Sequence, residues 1–228
     1  MQTKLKIAPI EGSFSLKEHI YEVLKDAITG MNIYDEGADL RLDERQLSEQ
    51  LRISRTPIRE AIARLEQEGL VTVIPRRGVY ITKKTKKEIL EMITVWAALE
   101  SMAARLITET ASDAKIASLR ELFTTFENGQ VQAHIDEYSD RNIEFHQTIL
   151  EMCGCALITQ LAESLFLHMR GIRARTIGEK GRAKRSIIDH IHIIEALEAR
   201  DAELAERLVR EHTLNLAAHV NANVDYLD

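Results

Sequence analysis

The 228-residue chain is short of the residues that interrupt or staple structure: three prolines, two cysteines, one tryptophan and 5% aromatics overall. Few prolines leave long helices unbroken, and the prevalence of Leu, Ile, Ala, Glu and Arg favours them. Cys153 and Cys155 are one residue apart, too close for an ordinary bridge, and no second thiol pair exists to complete a zinc site; they read as reduced and structural. No apolar run approaches the roughly 18 residues of a membrane span, and the N-terminus lacks a basic segment followed by an apolar one. The expectation is a soluble, cytoplasmic protein with no membrane partner. What is abundant is charge, and it is uneven. Net charge is −6, yet residues 1–85 hold 14 Lys and Arg against 13 Asp and Glu, whereas residues 86–228 hold 16 against 23. A near-neutral front half can still present a basic face if its acids lie elsewhere.

The front third reads as helix, helix, turn, helix and hairpin. Ser15 and Glu18 have the form of a capping box, and Leu16, Ile20, Val23, Leu24, Ala27 and Ile28 make one apolar helical face that stops by Gly30. A connector runs through Gly37 and Asp39 to Leu42. Asp43 caps a second, short helix, with Gln46 three residues on to complete a capping box. Arg52-Ile53 turns the chain, Ser54 or Thr56 caps a third helix, and Pro57 lies in its first turn, where a missing amide hydrogen costs little. Ile58, Ile62 and Leu65 face inward, which leaves Arg55, Arg59 and Arg64 for the outer face. The β-branched run Val71-Thr72-Val73-Ile74, the turn Pro75-Arg76-Arg77-Gly78 and the strand Val79-Tyr80-Ile81 follow as a two-stranded wing. A capped helix, a short turn, an arginine-bearing helix and a cationic hairpin together describe a winged helix-turn-helix, whose second helix enters the major groove. An arginine fork can bond both O6 and N7 of guanine, so Arg55 or Arg59 is the natural base reader, while Arg76 and Arg77 supply cations to backbone or minor groove.

The stretch "DERQLSEQLRISRTPIREAIARLEQEGLV" followed by "PRRGVYI" resembles the GntR family of bacterial transcription regulators. That resemblance implies DNA contacts by Arg45 to phosphate and by Ser54, Arg55, Thr56 and Arg59 from the recognition helix. It also implies a wing-tip role for Gly78, with Pro57 shaping the helix start.

After the polar link "TKKTKK" (82–87), read as a linker with an added phosphate contact as the alternative, the apolar periodicity is helical throughout. Six helices are expected at about 86–109, 112–128, 131–152, 156–177, 182–199 and 202–222, with Ser112 and Asp201 as caps and Gly129, Gly154 and Gly178 at breaks. The fold class is thus mainly α: a winged helix-turn-helix domain over 1–82 and an all-α six-helix bundle over 83–228. His146, His190 and His212 sit in inward settings on three of these helices, with Asn142 one turn before His146. Imidazole nitrogens converging with an oxygen ligand suit zinc, nickel, manganese or another first-row metal. The remaining histidines, including His168 and His219, read as ordinary packing or surface residues. The bundle also resembles the FadR-type, or FCD, class of the family, which shows an Asp-x-x-x-His helix, an acid-preceded histidine and a histidine in the last helix. Here Asn142 stands where aspartate is usual, Asp189-His190 matches the second element and His212 the third. Asparagine brings a carbonyl oxygen but no charge, so hard cations should lose most. A second departure is Trp96, four residues before Glu100, where the class commonly has an arginine for an acidic effector. Trp96 offers an apolar wall instead. Among Arg170, Arg173, Arg175, Arg182 and Arg185, Arg173 is the choice for a carboxylate.

These readings lead to a homodimeric repressor on a palindromic operator, controlled by a small organic acid held beside a metal. The competing class is a metal-dependent enzyme whose winged domain mediates protein contacts; against it, no carboxylate stands as an obvious general base. A DNA-binding architectural protein would have no use for inward histidines.

Overall fold

The computed structural model describes residues 16–35, 37–126, 131 and 133–227. The expected Ser15 cap and the Gly129 break lie outside the described residues. The chain clusters into two units: the first takes Leu40–Thr82 with the chain up to Ile28, and the second takes Thr29–Asp39 and everything from Lys83 on.

In the first unit, α1 (Leu16–Gly30) lays Ile20, Tyr21 and Leu24 into the core, and α3 (Arg55–Gln67) answers with Ile58, Ala61, Ile62 and Leu65. Asp43 caps α2 (Glu44–Leu51) by accepting from the amides of Arg45 at 2.9 Å and Gln46 at 3.1 Å. The turn is closed by Arg52 in the left-handed region, φ 55°. Ser54 occupies the cap position of α3 without using its hydroxyl as a cap. The wing is β2 (Val71–Ile74) paired antiparallel with β3 (Gly78–Ile81), Ile74 opposite Gly78. A third strand, β1 (Arg41–Leu42), pairs with Tyr80 and Val79 on the other side of β3. It replaces the end of the expected connector, since two residues are too few to show alternation. Arg64 also differs from expectation. Its guanidinium lies over the Tyr21 ring at 3.6 Å and donates to Glu18 at 2.6 Å, so it ties α3 to α1.

In the second unit, α4 (Lys86–Thr110), α5 (Asp113–Glu121), α6 (Ile135–Met152), α7 (Ala156–Thr176), α8 (Arg182–Glu198) and α9 (Ala202–Asn223) form the bundle. Thr85 and Glu88 form a full capping box at the start of α4, so the "TKKTKK" link ends in a helix cap. Helices α4 and α9 run antiparallel: Arg105 meets Glu206 and, earlier on α4, Glu100 meets Thr213. The main departure from the expected boundaries is around residues 122–134. Leu122 ends α5, residues 124–126 tighten to a 3₁₀ turn, and α6 begins only after His134. Phe123, Phe126 and Val131 are buried there without a long helix, which is why an apolar run looks helical in the sequence.

Segment 29–39 is tied to α7. The Tyr34 ring lies over Gly171, where a β-carbon would come within 2.8 Å of Cδ2, so only glycine fits without displacing the ring. Lys84 donates its amide to the Tyr34 hydroxyl at 3.4 Å, and that hydroxyl meets His168 Nδ1 at 2.8 Å. Burial first, and then the charge of Lys84, hold His168 down to about 4. The sign follows: the unfolded chain takes up this proton near pH 6.5 and the folded chain only near 4. Stability from this site is therefore present above pH 6.5 and lost as pH falls through that window, up to about 3 kcal/mol. Thermal unfolding of wild type against His168→Gln should show the variant losing less stability between pH 7 and pH 4.5. Parallel pH profiles would refute the assignment.

Candidate functional site

On the winged unit, Ser54, Arg55, Thr56 and Arg59 are exposed along one end of α3, and Arg45 is exposed on α2. Pro57 is half-buried at the third helical position and Ile58 behind it is fully buried, so the helix start is pinned while its arginines face outward. Arg59 donates to Glu44 at 2.7 Å, and Arg45 pairs loosely with Glu49 at 3.9 Å. In the wing, Arg76 takes φ 65° and Gly78 φ 117°. The latter is a conformation that a side chain would strain, and glycine there lets the hairpin turn while Arg76 and Arg77 stay exposed. Arg41 lies close by, its Nε 3.6 Å from where a Gly78 β-carbon would stand.

In the bundle, α6, α8 and α9 each contribute one histidine. His146, His190 and His212 are buried, and one ring nitrogen from each lies within 4.8 Å of the others. The other nitrogens are held from behind. His146 Nδ1 pairs with Glu100, His212 Nδ1 with Asp189 Oδ2 at 3.0 Å, and His190 Nδ1 with the Tyr138 hydroxyl at 3.2 Å. A carboxylate only accepts, so His146 and His212 carry their proton on Nδ1 and turn the Nε2 lone pair toward the cluster; Tyr138 can accept from His190 in the same way. That is the outer shell which metal-binding histidines require. His190 Nε2 is buried with no hydrogen-bond partner, and Phe123 and Phe145 pack against its ring. Burial, followed by the positive charge of Arg173, holds His146 far below the ordinary histidine value; burial and the neighbouring histidines do the same to His190. His212 is lowered by burial against the pull of Asp189. All three rings are neutral, the form that binds a metal.

Glu100 is the hub. It is fully buried and accepts from Trp96 Nε1 at 3.0 Å and Thr213 Oγ1 at 2.8 Å, with Arg173 Nη2 at 3.7 Å. Burial pushes its carboxyl up, against the opposing pull of Arg173, Thr213, His212 and Trp96. Arg173 reaches the cluster directly, donating Nη1 to His146 Nε2 at 2.6 Å, while its Nε and Nη2 are buried without hydrogen-bond partners. Burial brings this guanidinium down to about 10, still charged at neutral pH. Asn142 is buried beside the cluster on α6, and its Oδ1 accepts from Ser186 at 3.4 Å. Trp96 is buried and reaches the histidines by way of Glu100. A cavity of about 410 Å³ opens between α8 and α9, lined by Arg182, Arg185, Ser186, Asp189, His212 and His219 among others. Sequence reading misses Tyr138 and Thr213, which lie on helices far along the chain from the side chains they support and carry no motif. Spacing alone marks Glu100 without its role.

The geometry is thus that of a metal-capable histidine set with a cationic cavity, in a chain whose other unit has a winged reader's arginine face. The sequence model described as "Bacterial regulatory proteins, gntR family" matches residues 16–81, and the FCD domain model matches residues 91–215. The Nta operon transcriptional regulator of Aminobacter aminovorans is 30% identical over 188 residues, covering 82% of this chain and 84% of that protein. The HTH-type transcriptional repressor RspR of Escherichia coli K12 is 22% identical, over 90% and 89%. The solved structure of E. coli McbR/YncC shares the fold, with a TM-score of 0.74 at 24% identity over 93% of this chain and all of that one.

Proposed function

Because the chain belongs to the GntR family of bacterial regulatory proteins, with an FCD domain behind its DNA-binding domain, we propose that it is an effector-controlled transcriptional repressor. In this reading it binds a palindromic operator as a homodimer. Arg55 and Arg59 read bases, Ser54 and Thr56 assist, Pro57 sets the helix start, and Arg45, Arg76, Arg77 and Gly78 meet the backbone or minor groove. One recognition helix reads only a few base pairs, and two-fold symmetry doubles that readout. The observation that carries the regulatory half is the orphaned, buried His190 Nε2 aimed into a set of neutral histidines. Among the described residues the donor set fits a divalent first-row metal, with zinc, nickel and manganese the candidates. His146, His190 and His212 would hold it, His146 once Arg173 Nη1 withdraws from its Nε2, with the Asn142 carbonyl oxygen as a fourth donor, and it would supply a Lewis-acidic anchor for a carboxylate.

The chain's own residues explain the anionic preference. Arg173 offers buried N–H groups with nothing to bond, and Arg182 and Arg185 line the cavity. Trp96 is buried with its indole N–H on Glu100 and does not line the cavity, so it bears on an effector only through that carboxylate. A ligand that binds one placement of the DNA-binding units better than another shifts their affinity for fixed half-sites. No described helix is long and apolar enough to cross a membrane. The enzyme reading draws no support from the relatives, which are transcriptional regulators.

Elemental analysis of untagged protein should find about one divalent metal per chain, and His190→Ala or His212→Ala should remove it. A stoichiometric metal in both variants would refute this ligand set. In a thermal-shift screen of small carboxylates with and without added metal, a true effector at a hundred times its Kd should stabilise by about 2.7 kcal/mol. The gain should fall when metal is withheld.

A further inference from the structure

Arg173 reaches the histidine cluster from α7 as a buried cation whose bonding is unfinished. A guanidinium carries several N–H donors and, once out of water, calls for an anion to accept them. Here Nη1 donates to His146 Nε2 at 2.6 Å, while Nε and Nη2 are buried without hydrogen-bond partners. Glu100 does not complete the set. Its Oε1 pairs with His146 Nδ1 and its Oε2 accepts from Trp96 and Thr213, which leaves Arg173 Nη2 standing 3.7 Å away.

The partner that Arg173 does have is a neutral ring with one lone pair to give. Glu100 holds the His146 proton on Nδ1, so that lone pair sits on Nε2, the atom that would bind a metal. One lone pair serves one partner. The neighbouring His190 Nε2 is buried and bare, so Arg173 closes one donor of the cluster and leaves another open.

We propose that Arg173 is a built-in competitor for the metal: its Nη1 and a divalent ion hold the His146 lone pair in turn, and an anion decides between them by drawing the guanidinium away. This inference rests on the metal-binding reading above and states how that site is regulated. Displacing Arg173 with nothing to accept its protons strands a buried cation beside a divalent one. A carboxylate relieves that, because the unbonded Nε and Nη2 form one edge of the guanidinium, to which two oxygens can bond in parallel. Binding free energies are linked, so an anion that takes Arg173 raises metal affinity, and the metal raises anion affinity by the same factor. Metal and anion then occupy the bundle together.

Acetate, small enough for a cavity of about 410 Å³, and zinc are the probes for the full chain. In metal-free protein, nitrogen-15 spectra of the imidazole rings should show His146 Nε2 shielded by the bond it accepts. Arg173→Met should move that resonance downfield, and so should acetate added to wild type, which gives the reading even if the variant fails to fold. In zinc titrations against a competing chelator, acetate in place of chloride at equal ionic strength should tighten wild-type binding about fivefold or more, the range of a coupled pair of sites. Arg173→Met should bind zinc more tightly than wild type and lose the acetate dependence. A His146 Nε2 resonance unmoved by Arg173→Met and by acetate overturns the competition, as does wild-type zinc affinity indifferent to acetate; either leaves the metal reading standing as long as zinc binds. A chain that takes no zinc, with or without acetate, overturns both.

Discussion

Replacing Glu100 with alanine is expected to cost the bundle about 3–5 kcal/mol, because the change strips a buried cation of its carboxylate partner. The carboxylate stands between His146, Trp96, Thr213 and Arg173, all buried. Without it the Trp96 N–H and the Thr213 hydroxyl lose their acceptor, and Arg173 is left with His146 Nε2. For a domain of this size the loss corresponds to a fall in melting temperature on the order of 10 °C. Glu100→Gln keeps the shape and one acceptor oxygen, so roughly half the loss should remain. The distinguishing readout is metal affinity. His146 takes its tautomer from Glu100, so both variants should bind metal about 10–100-fold more weakly, the range for removal of an outer-shell partner. A Glu100→Gln protein as stable as wild type, with the same metal affinity, would show that the cluster does not depend on this residue.

The largest effect on DNA binding is expected from Arg55→Ala combined with Arg59→Ala. Each arginine reading a guanine is worth about 1–3 kcal/mol of discrimination, so the double variant should lose on the order of 10²–10⁴ in affinity for a duplex selected from a random pool. Residual binding should be indifferent to sequence. The wing and Arg45 should behave differently. Arg45→Ala or Arg76→Ala should weaken all duplexes alike and lower the slope of log affinity against log salt by about 0.9 for each phosphate no longer neutralised. Fluorescence anisotropy across a salt series separates the two. If the double variant binds as wild type does, with the same salt slope, α3 is not the reading helix.

The bundle is legible in the sequence because its helices bury one face each. Five of the six expected ranges agree with the structure to within a few residues, the starts of α4 and α7 included. Where Phe123, Phe126 and Val131 bury without regular helix, apolar content misleads the periodicity. The three histidines are legible individually from their inward settings. Their backing is not, because Tyr138, Thr213 and Glu100 come together only when separate helices close on one another. Arg64 misleads for the opposite reason. Its position on α3 puts it with the outward arginines, and only the Tyr21 ring and Glu18 on α1 reveal it as a tie within the unit.

The ion pair between Arg59 and Glu44 has a further consequence for a reader of DNA. Most cationic side chains meet a duplex with water and mobile salt around them. Arg59 arrives already matched to an internal counter-ion, on the first residue of α2. If Arg59 engages DNA as proposed, it must give up Glu44 for a phosphate or a base edge. Glu44 stays tethered within reach, so a duplex offering only a phosphate at that spot gains little over what it displaces. A duplex offering a well-placed guanine gains the difference. With an exposed pair worth about 0.2–1 kcal/mol, breaking it would subtract that small amount from every site that Arg59 engages, lowering affinity without changing the difference between one sequence and another.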